Sequence, residues 1–210
     1  MNKIAEPNGK LILASMSPRR KDLLTALGLT FEVQPSAIEE IMDPDLEPEQ
    51  LVLNLAQQKT EDVFASITRR TVSERLLVLG ADTIVVLDGK FLGKPVDRAD
   101  AIAMLKRLSG RDHEVYTGVW LIVREANGSV NATKSCERST VFFRQLEDRE
   151  MEAYVDTGEP MDKAGAYALQ GIGAALVERI EGSHTNIVGL PIPNVVSLLR
   201  NCGYPILGLP

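Results

Sequence analysis

Residues 76–87 read LLVLGADTIVVL and form the most apolar stretch of the chain. A run of this kind must be buried, and its content of Leu, Ile and Val predicts a central strand or strand pair. Asp88-Gly89 follows directly and is a strong signal for a two-residue hairpin turn, which returns the chain through Phe91 and Leu92. Because helical and extended patterns alternate along the rest of the chain, an α/β fold with a mixed sheet is expected.

Hydrophobic periodicity, helix caps and turn residues predict the other elements. Strands are expected at residues 11–15, 31–36, 115–123, 130–143 and 174–180, and helices at residues 18–27, 48–67, 146–157 and 192–201 and between Asp97 and Gly110. Residues 158–173 are polar and are expected to be irregular. This order predicts a sheet flanked by helices. It leaves open a division into two lobes around a cleft.

The composition limits the partners of the chain. Its 210 residues are 44% hydrophobic and carry a net charge of −6, which is typical of a soluble globular protein and argues against nucleic acid or an acidic membrane surface as the main partner. Cys136 and Cys202 form no metal-binding motif. Residues 1–10 are too polar for a signal peptide, and no apolar run approaches the ~20 residues of a membrane span. A cytoplasmic protein is expected.

A basic cluster begins the first predicted helix. Ser17 is a favoured N-cap and Pro18 suits the first helical position, so Arg19 and Arg20 fall in the first turn. Cations oppose the positive end of the helix macrodipole, whereas the free backbone N–H groups favour an anion there. The cluster therefore indicates either a phosphate site or a solvated basic turn.

Asp82 is the charged residue within the apolar stretch. A buried carboxylate needs a cation, hydrogen-bond donors or a raised pKa to be stable. Gly80 leaves room for a ligand to approach the backbone closely. Together these features favour a catalytic or metal-binding carboxylate over the alternative, a structural aspartate that accepts backbone N–H groups at a strand end.

Other polar features also suggest chemistry. Lys59 projects from the apolar side of its predicted helix, although lysines often reach solvent from such positions. Lys94 lies in the loop Gly93-Lys94-Pro95, and Glu39-Glu40 forms an acidic pair in another loop. Residues 162–171, which read DKAGAYALQG, have the composition of a binding loop. His113 shows no ligand spacing and is expected, like His184, to be structural or exposed.

These residues divide into a basic and an acidic set. Lysine and arginine neutralise phosphate oxygens as charge develops, and carboxylates hold a hard divalent cation such as Mg²⁺. Metal-assisted chemistry on a polyphosphate requires this combination, provided that the residues converge in space. The basic set comprises Arg19, Arg20, Lys59 and Lys94, with Lys163 as a further candidate, and the acidic set comprises Glu40 and Asp82.

Six motifs, spread in matching order over residues 11 to 200, resemble those of the Maf family. They are Leu13-Ala14-Ser15-Met16-Ser17-Pro18-Arg19-Arg20, Glu39-Glu40, Gly80-Ala81-Asp82-Thr83, Gly93-Lys94-Pro95, Leu108-Ser109-Gly110 and Val188-Gly189-Leu190-Pro191. The resemblance implies a nucleoside triphosphate pyrophosphatase whose fold is similar to that of inosine triphosphatases, with two lobes around a nucleotide cleft. It also implies an N-terminal extension over residues 1–10, a single domain over residues 11–210, and a homodimer.

The resemblance carries roles over to individual residues. It implies that the triphosphate is bound by Ser15, Arg20, Lys59 and Lys94. It implies further that Glu40 and Asp82 hold a divalent metal cation, Mg²⁺ or Mn²⁺. Asp82 is also expected to accept the proton of the attacking water, a mechanism that needs no covalent intermediate.

Three positions separate the branches of the family. The branch that prefers dTTP and UTP carries Arg, Thr and Gln there, as at Arg19, Thr83 and Gln170 in this sequence. The 7-methyl-GTP branch tends to carry an aromatic residue, Gln and Glu instead. A glutamine amide both donates and accepts, so it matches the O4 and N3–H edge that uracil and thymine share.

The expected activity is therefore hydrolysis of dTTP and UTP, or of modified pyrimidine nucleotides, to a nucleoside monophosphate and pyrophosphate. Such an enzyme would have a house-cleaning role, with a link to cell-division arrest. Two alternatives stay open. One is a pyrophosphatase for 7-methyl-GTP or damaged purine triphosphates, and the other is a non-enzymatic regulator of septum formation. The carboxylates and the basic set favour an enzyme, because binding a protein partner would not require them.

Overall fold

The computed structural model describes residues 8–39, 41–43, 45–68 and 74–206. The elements in these segments are β1 (Lys10–Leu13), α1 (Pro18–Ala26), β2 (Glu32–Val33), α2 (Pro48–Thr68), β3 (Leu76–Leu87), β4 (Lys90–Leu92), α3 (Arg98–Leu108), β5 (Asp112–Arg124), β6 (Val130–Phe143), α4 (Asp148–Asp156), β7 (Val177–Glu181), α5 (His184–Val188) and α6 (Ile192–Asn201). Short 3₁₀ turns at Glu159–Asp162, Ala164–Ala166 and Gly171–Leu176 connect α4 to β7. None of the helices in these segments is both long and apolar enough to cross a membrane.

The strands form a seven-stranded sheet in the order β2-β1-β3-β5-β6-β7, and β4 pairs with β3 outside this path. β1 pairs in parallel with β2 and β3, whereas β3 with β4 and β6 with β7 are antiparallel pairs. The predicted α/β class and the mixed sheet flanked by helices are confirmed. β3 is one long strand, and Asp88 and Gly89, with φ of 53° and 71°, make the predicted hairpin turn.

The chain divides into two compact units. The first comprises Met1–Asp82, Thr117–Glu137 and Gly189–Pro210, and the second comprises Thr83–Tyr116 and Arg138–Val188. Strands β3, β5 and β6 contribute residues to both units. The single domain expected over residues 11–210 and the nucleotide cleft stay predictions.

In the first unit, helices cover both faces of the sheet. Alternate residues of a strand point to opposite faces. On β3, Leu77 and Leu79 pack in one core with Leu24 of α1 and Leu198 of α6. Their neighbours Leu76 and Val78 pack in a second core with Val63 of α2. Helix α2 therefore lies on the face opposite α1 and α6.

In the second unit, α3 and α4 share a core with strand residues of β3, β5 and β6. His113 is part of this unit and is 2% exposed. Its Nε2 lies 2.8 Å from the hydroxyl oxygen of Tyr167, and its ring meets those of Phe143 and Tyr167 edge-on. Burial lowers the pKa of His113 to about 4. The expectation of a structural histidine is met, since the ring is neutral and enclosed.

This burial predicts a pH dependence of stability. Between pH 6.5 and about 4 the unfolded chain binds a proton at His113 that the folded chain does not, so the free energy of unfolding falls as the pH decreases. The full loss across this window is about 3 kcal/mol. Urea unfolding at a series of pH values across this window measures the free energy of unfolding. His113→Gln should flatten its dependence on pH, whereas His184→Gln, which replaces an exposed histidine, should leave that dependence unchanged. Equal slopes in both variants would contradict the assignment to His113.

The structure differs from the predicted elements in three places. The strand expected at residues 31–36 comprises only Glu32–Val33. The strand expected at residues 174–180 begins only at Val177, because residues 171–176 form a 3₁₀ turn. Helix α5 was not predicted. It has five residues, too few for a periodic apolar pattern, and it begins where the hydroxyl of Ser183 accepts a hydrogen bond from the N–H of Asn186 at 3.3 Å.

Candidate active site

The start of α1 has the form that the sequence predicts. Ser17 is the N-cap, and its hydroxyl oxygen accepts a hydrogen bond from the backbone N–H of Arg20 at 3.5 Å. Pro18 begins the helix, and Gly28 follows its end with a φ of 70°. The hydroxyl oxygen of Ser15 accepts a hydrogen bond from the N–H of Ser17 at 3.2 Å. Ser15 and the helix start therefore form one hydrogen-bonded turn.

Arg20 joins this turn to a segment far away in the sequence. Its side chain is buried, Nη1 donates to the hydroxyl of Ser15 at 3.1 Å, and Nε donates to the carbonyl oxygen of Gly189 at 2.7 Å. Arg19 is half-buried and Lys21 is exposed. The two arginines thus differ, because Arg20 is fixed inside the first unit whereas Arg19 is partly open to solvent.

Asp82 and Lys59 form an ion pair. The carboxylate belongs to β3 and the ammonium to α2, and their side chains are 12% and 16% exposed. The pair supplies the cation that a buried carboxylate requires. Breaking a buried pair by removing one partner is strongly destabilising, by about 3–5 kcal/mol. The structure thus brings these two predicted residues together, and it leaves the side chain of Lys59 mostly enclosed.

Two glycines let α2 approach the sheet closely enough for this pair. A Cβ atom on Gly80 would lie 2.0 Å from the hydroxyl oxygen of Thr60, and one on Gly118 of β5 would lie 2.6 Å from a backbone oxygen of α2. The space beside Gly80 is therefore filled by α2, which corrects the expectation that it is open to a ligand. Because Lys59 precedes Thr60, this close contact places its ammonium within reach of Asp82.

Helix α2 also holds the acidic loop on both sides of its glutamate pair. The carboxylate of Asp62 accepts hydrogen bonds from the hydroxyl of Ser36 at 2.8 Å and the N–H of Ala37 at 3.1 Å. The amide of Gln58 bonds both the N–H and the carbonyl oxygen of Ile41 at 3.0 Å. No local pattern in the sequence indicates these contacts.

The predicted metal ligands are Glu40 and Asp82. Glu40 lies outside the described residues, and its neighbour Glu39 is exposed. Within the described segments, no group of three or more His, Cys, Asp or Glu side chains is arranged to hold a metal ion. Mg²⁺ is often bound by one or two carboxylates together with substrate phosphates and water. The buried carboxylate oxygens of Asp82 fit a cation of that kind.

In the second unit, the loop that carries Lys94 is tied to the loop at residues 162–171. The N–H of Gly165 donates to the carbonyl oxygen of Gly93 at 3.0 Å, and Gly165 has a φ of 71° that disfavours other residues. Lys94 is exposed. Two motifs that are separate in the sequence therefore meet in this unit.

The three positions expected to select the base differ in exposure. Arg19 and Thr83 are half-buried, and Gln170 is exposed just before the 3₁₀ turn at Gly171–Leu176. Arg19 belongs to the first unit, and Thr83 and Gln170 belong to the second. Their role in base selection stays a prediction.

Sequence reasoning missed two residues that fix the loop around Gln170. The hydroxyl of Tyr154 donates to the carboxylate of Glu159 at 3.0 Å and accepts from the N–H of Ala168 at 3.1 Å. The same carboxylate accepts the backbone N–H groups of residues 172 and 173 at 3.1 and 2.9 Å. Tyr154 lies within the helix predicted at residues 146–157, but a hydrogen bond to a loop 14 residues away leaves no local signal in the sequence.

Comparison with known proteins points to one family. A model of the family described as Maf-like protein matches residues 10–202. The relatives named dTTP/UTP pyrophosphatase include those of Acetivibrio thermocellus, 49% identical over 94% of this chain and 98% of the relative, and Moorella thermoacetica, 49% identical over 95% and 98%. The relative from Caldicellulosiruptor saccharolyticus is 42% identical over 94% of this chain and 97% of its own.

A solved structure, the nucleoside-triphosphatase or dITP/XTP pyrophosphatase of Mycobacterium abscessus, covers 92% of this chain and 96% of its own. Its sequence identity is 12% and its TM-score is 0.35, so the likeness to inosine triphosphatases stays a prediction. The family match and the high identity of the curated relatives confirm the family that the six motifs indicate. The chain belongs to the Maf-like protein family.

Proposed function

We propose that this chain hydrolyses nucleoside triphosphates, with dTTP and UTP preferred, to a nucleoside monophosphate and pyrophosphate. The observation that carries the proposal is the ion pair between the buried carboxylate of Asp82 and the half-buried ammonium of Lys59. A carboxylate in a buried position with a specific charged partner is a candidate for catalysis. The names of the curated relatives, dTTP/UTP pyrophosphatase, support the same reaction and substrates.

In the proposed reaction, the oxygen of a water molecule bonds to the α-phosphorus while the bond from that phosphorus to the bridging oxygen of the β-phosphate breaks. Asp82 accepts the proton of the water, and pyrophosphate leaves with the electron pair of the broken bond. Because Lys59 pairs with this carboxylate, its ammonium must turn to a phosphate oxygen when substrate binds. That exchange opens a carboxylate oxygen of Asp82 to the water.

The phosphates are bound in this proposal by Ser15, Arg20, Lys59 and Lys94. Arginine presents several N–H donors in a fixed plane, which suits phosphate oxygens. The bonds from Arg20 to Ser15 and Gly189 hold that plane in one orientation. Fixed donors of this kind stabilise charge that develops on the phosphates during bond breaking.

A divalent cation, Mg²⁺ or Mn²⁺, belongs to the proposal. Asp82 and Glu40 would hold it, since carboxylate oxygens are the donors that such hard cations prefer. When bound, it would offset the negative charge of the triphosphate. Arg19, Thr83 and Gln170 are assigned to selection of the base, with the amide of Gln170 reading the O4 and N3–H edge.

Initial rates of pyrophosphate release from dTTP, UTP, 7-methyl-GTP and ITP, measured side by side with Mg²⁺, test the proposal. We expect dTTP and UTP to be hydrolysed at least about tenfold faster than either purine nucleotide. Faster turnover of 7-methyl-GTP or ITP would instead assign the chain to purine substrates. Absence of turnover with all four would contradict an enzymatic role and favour the septum-formation regulator.

Three wider expectations extend the proposal from the family resemblance. The chain is expected to form a homodimer, to work in the cytoplasm, and to remove modified pyrimidine nucleotides with a link to cell-division arrest. Sedimentation of the purified chain over a range of concentrations tests the dimer.

A further inference from the structure

We propose that Glu159 is a positioning residue for Gln170. Together with Tyr154, its carboxylate holds the loop at residues 168–173 in the conformation that presents the Gln170 amide to the nucleobase. This inference rests on the proposed function, because it takes Gln170 as the residue that reads the base.

The hydrogen bonds bracket Gln170 on both sides. Before it, the N–H of Ala168 donates to the hydroxyl oxygen of Tyr154 at 3.1 Å. After it, the N–H groups of residues 172 and 173 donate to the carboxylate of Glu159 at 3.1 and 2.9 Å. The Tyr154 hydroxyl in turn donates to Glu159 at 3.0 Å, so one carboxylate connects both sides. The Gln170 side chain between these anchors is exposed and available to a ligand.

The loop also fits closely against these two side chains. A Cβ atom on Gly171 would lie 2.5 Å from a carboxylate oxygen of Glu159, and Gly171 has a φ of 79°. A Cβ atom on Gly173 would lie 2.6 Å from the hydroxyl oxygen of Tyr154. The loop can therefore adopt this conformation only because neither position carries a side chain.

The ionisation states suit these bonds. Burial opposes the ionised form of Glu159, but the hydrogen bonds from residues 172 and 173 and from Tyr154 outweigh it and leave the pKa below its ordinary value. Burial raises the pKa of Tyr154, so its hydroxyl keeps the proton that it donates. At neutral pH the anchor is thus a charged acceptor with three donors, a stronger arrangement than neutral hydrogen bonds.

Steady-state kinetics with UTP and CTP separate positioning from simple stabilisation. Cytosine carries an amino group where uracil carries O4, so the ratio of kcat/KM for UTP to that for CTP reports on Gln170. We expect Gln170→Ala to lower this ratio about tenfold. Glu159→Gln should lower it by a similar factor, through a higher KM for UTP with kcat kept within about twofold. The double variant should be no worse than Gln170→Ala.

Glu152→Gln, which changes an exposed carboxylate of α4, is the matched control and should leave the ratio unchanged. Tyr154→Phe removes only the hydroxyl and should lower the ratio by a smaller factor. If Glu159→Gln does not fold, Tyr154→Phe is the variant that tests the positioning role. A ratio that falls in Gln170→Ala but not in Glu159→Gln or Tyr154→Phe overturns the positioning role and leaves the proposed function intact. An unchanged ratio in Gln170→Ala overturns base reading by Gln170, and the positioning role with it.

Discussion

Replacement of Asp82 by Asn is expected to lower the rate of pyrophosphate release from UTP about a thousandfold. An amide accepts no proton from water at neutral pH, so the proposed reaction loses its base. The substitution also removes a negative charge that would hold a divalent cation. Steady-state rates at saturating UTP with Mg²⁺ measure the effect on kcat directly.

Asp88→Asn is the matched control for this substitution. Asp88 is exposed in the turn that follows the same strand, and its φ of 53° is one that asparagine also adopts. The control should keep the activity of the unchanged chain. Asp82→Asn leaves the Lys59 ammonium without its partner carboxylate, so circular dichroism and thermal unfolding must accompany the kinetics. A folded Asp82→Asn variant with undiminished kcat would rule out Asp82 as the base.

Replacement of Arg20 by Lys is expected to lower kcat/KM for UTP about a hundredfold and to destabilise the first unit, even though the charge is kept. The guanidinium bonds Ser15 and Gly189 at the same time, through Nη1 and Nε. One ammonium on a flexible stem cannot reproduce that planar pair of bonds. Loss of a buried hydrogen bond to a charged group costs about 2 kcal/mol, which corresponds to a fall in Tm of about 4–8 °C.

Lys21→Gln is the control for the charge of this helix turn. Lys21 is exposed beside Arg20, so its replacement should change neither kcat/KM nor Tm appreciably. Scanning calorimetry and steady-state kinetics on both variants check the prediction. If Arg20→Lys were as stable and as active as Lys21→Gln, the fixed orientation of Arg20 would have no part in substrate binding.

The elements that the sequence predicts well are those with local signals. The N-cap Ser17, the helix start at Asp97 and the turn at Asp88-Gly89 each depend on a few neighbouring residues, and the structure has all three. The burial of the β3 residues is equally predictable, because an apolar stretch of this length must lie in the core. The short helix α5 was missed because five residues show no periodicity.

The candidate site was only partly predictable. Asp82 can be singled out from the sequence, because it is a charged residue in an apolar strand. Its pairing with Lys59 depends on the packing of α2 against β3, which the sequence does not show. The prediction of open space beside Gly80 is wrong for the same reason, because the space beside a glycine is filled by whichever element packs there. The bond from Arg20 to Gly189 spans 169 residues, and no local pattern carries such a contact.

Product analysis of the unchanged chain with UTP and Mg²⁺ tests the central claim most directly. Cleavage between the α- and β-phosphates predicts UMP and pyrophosphate in equal amounts, and no UDP. Formation of UDP and orthophosphate, or no turnover of UTP, would contradict the proposed reaction.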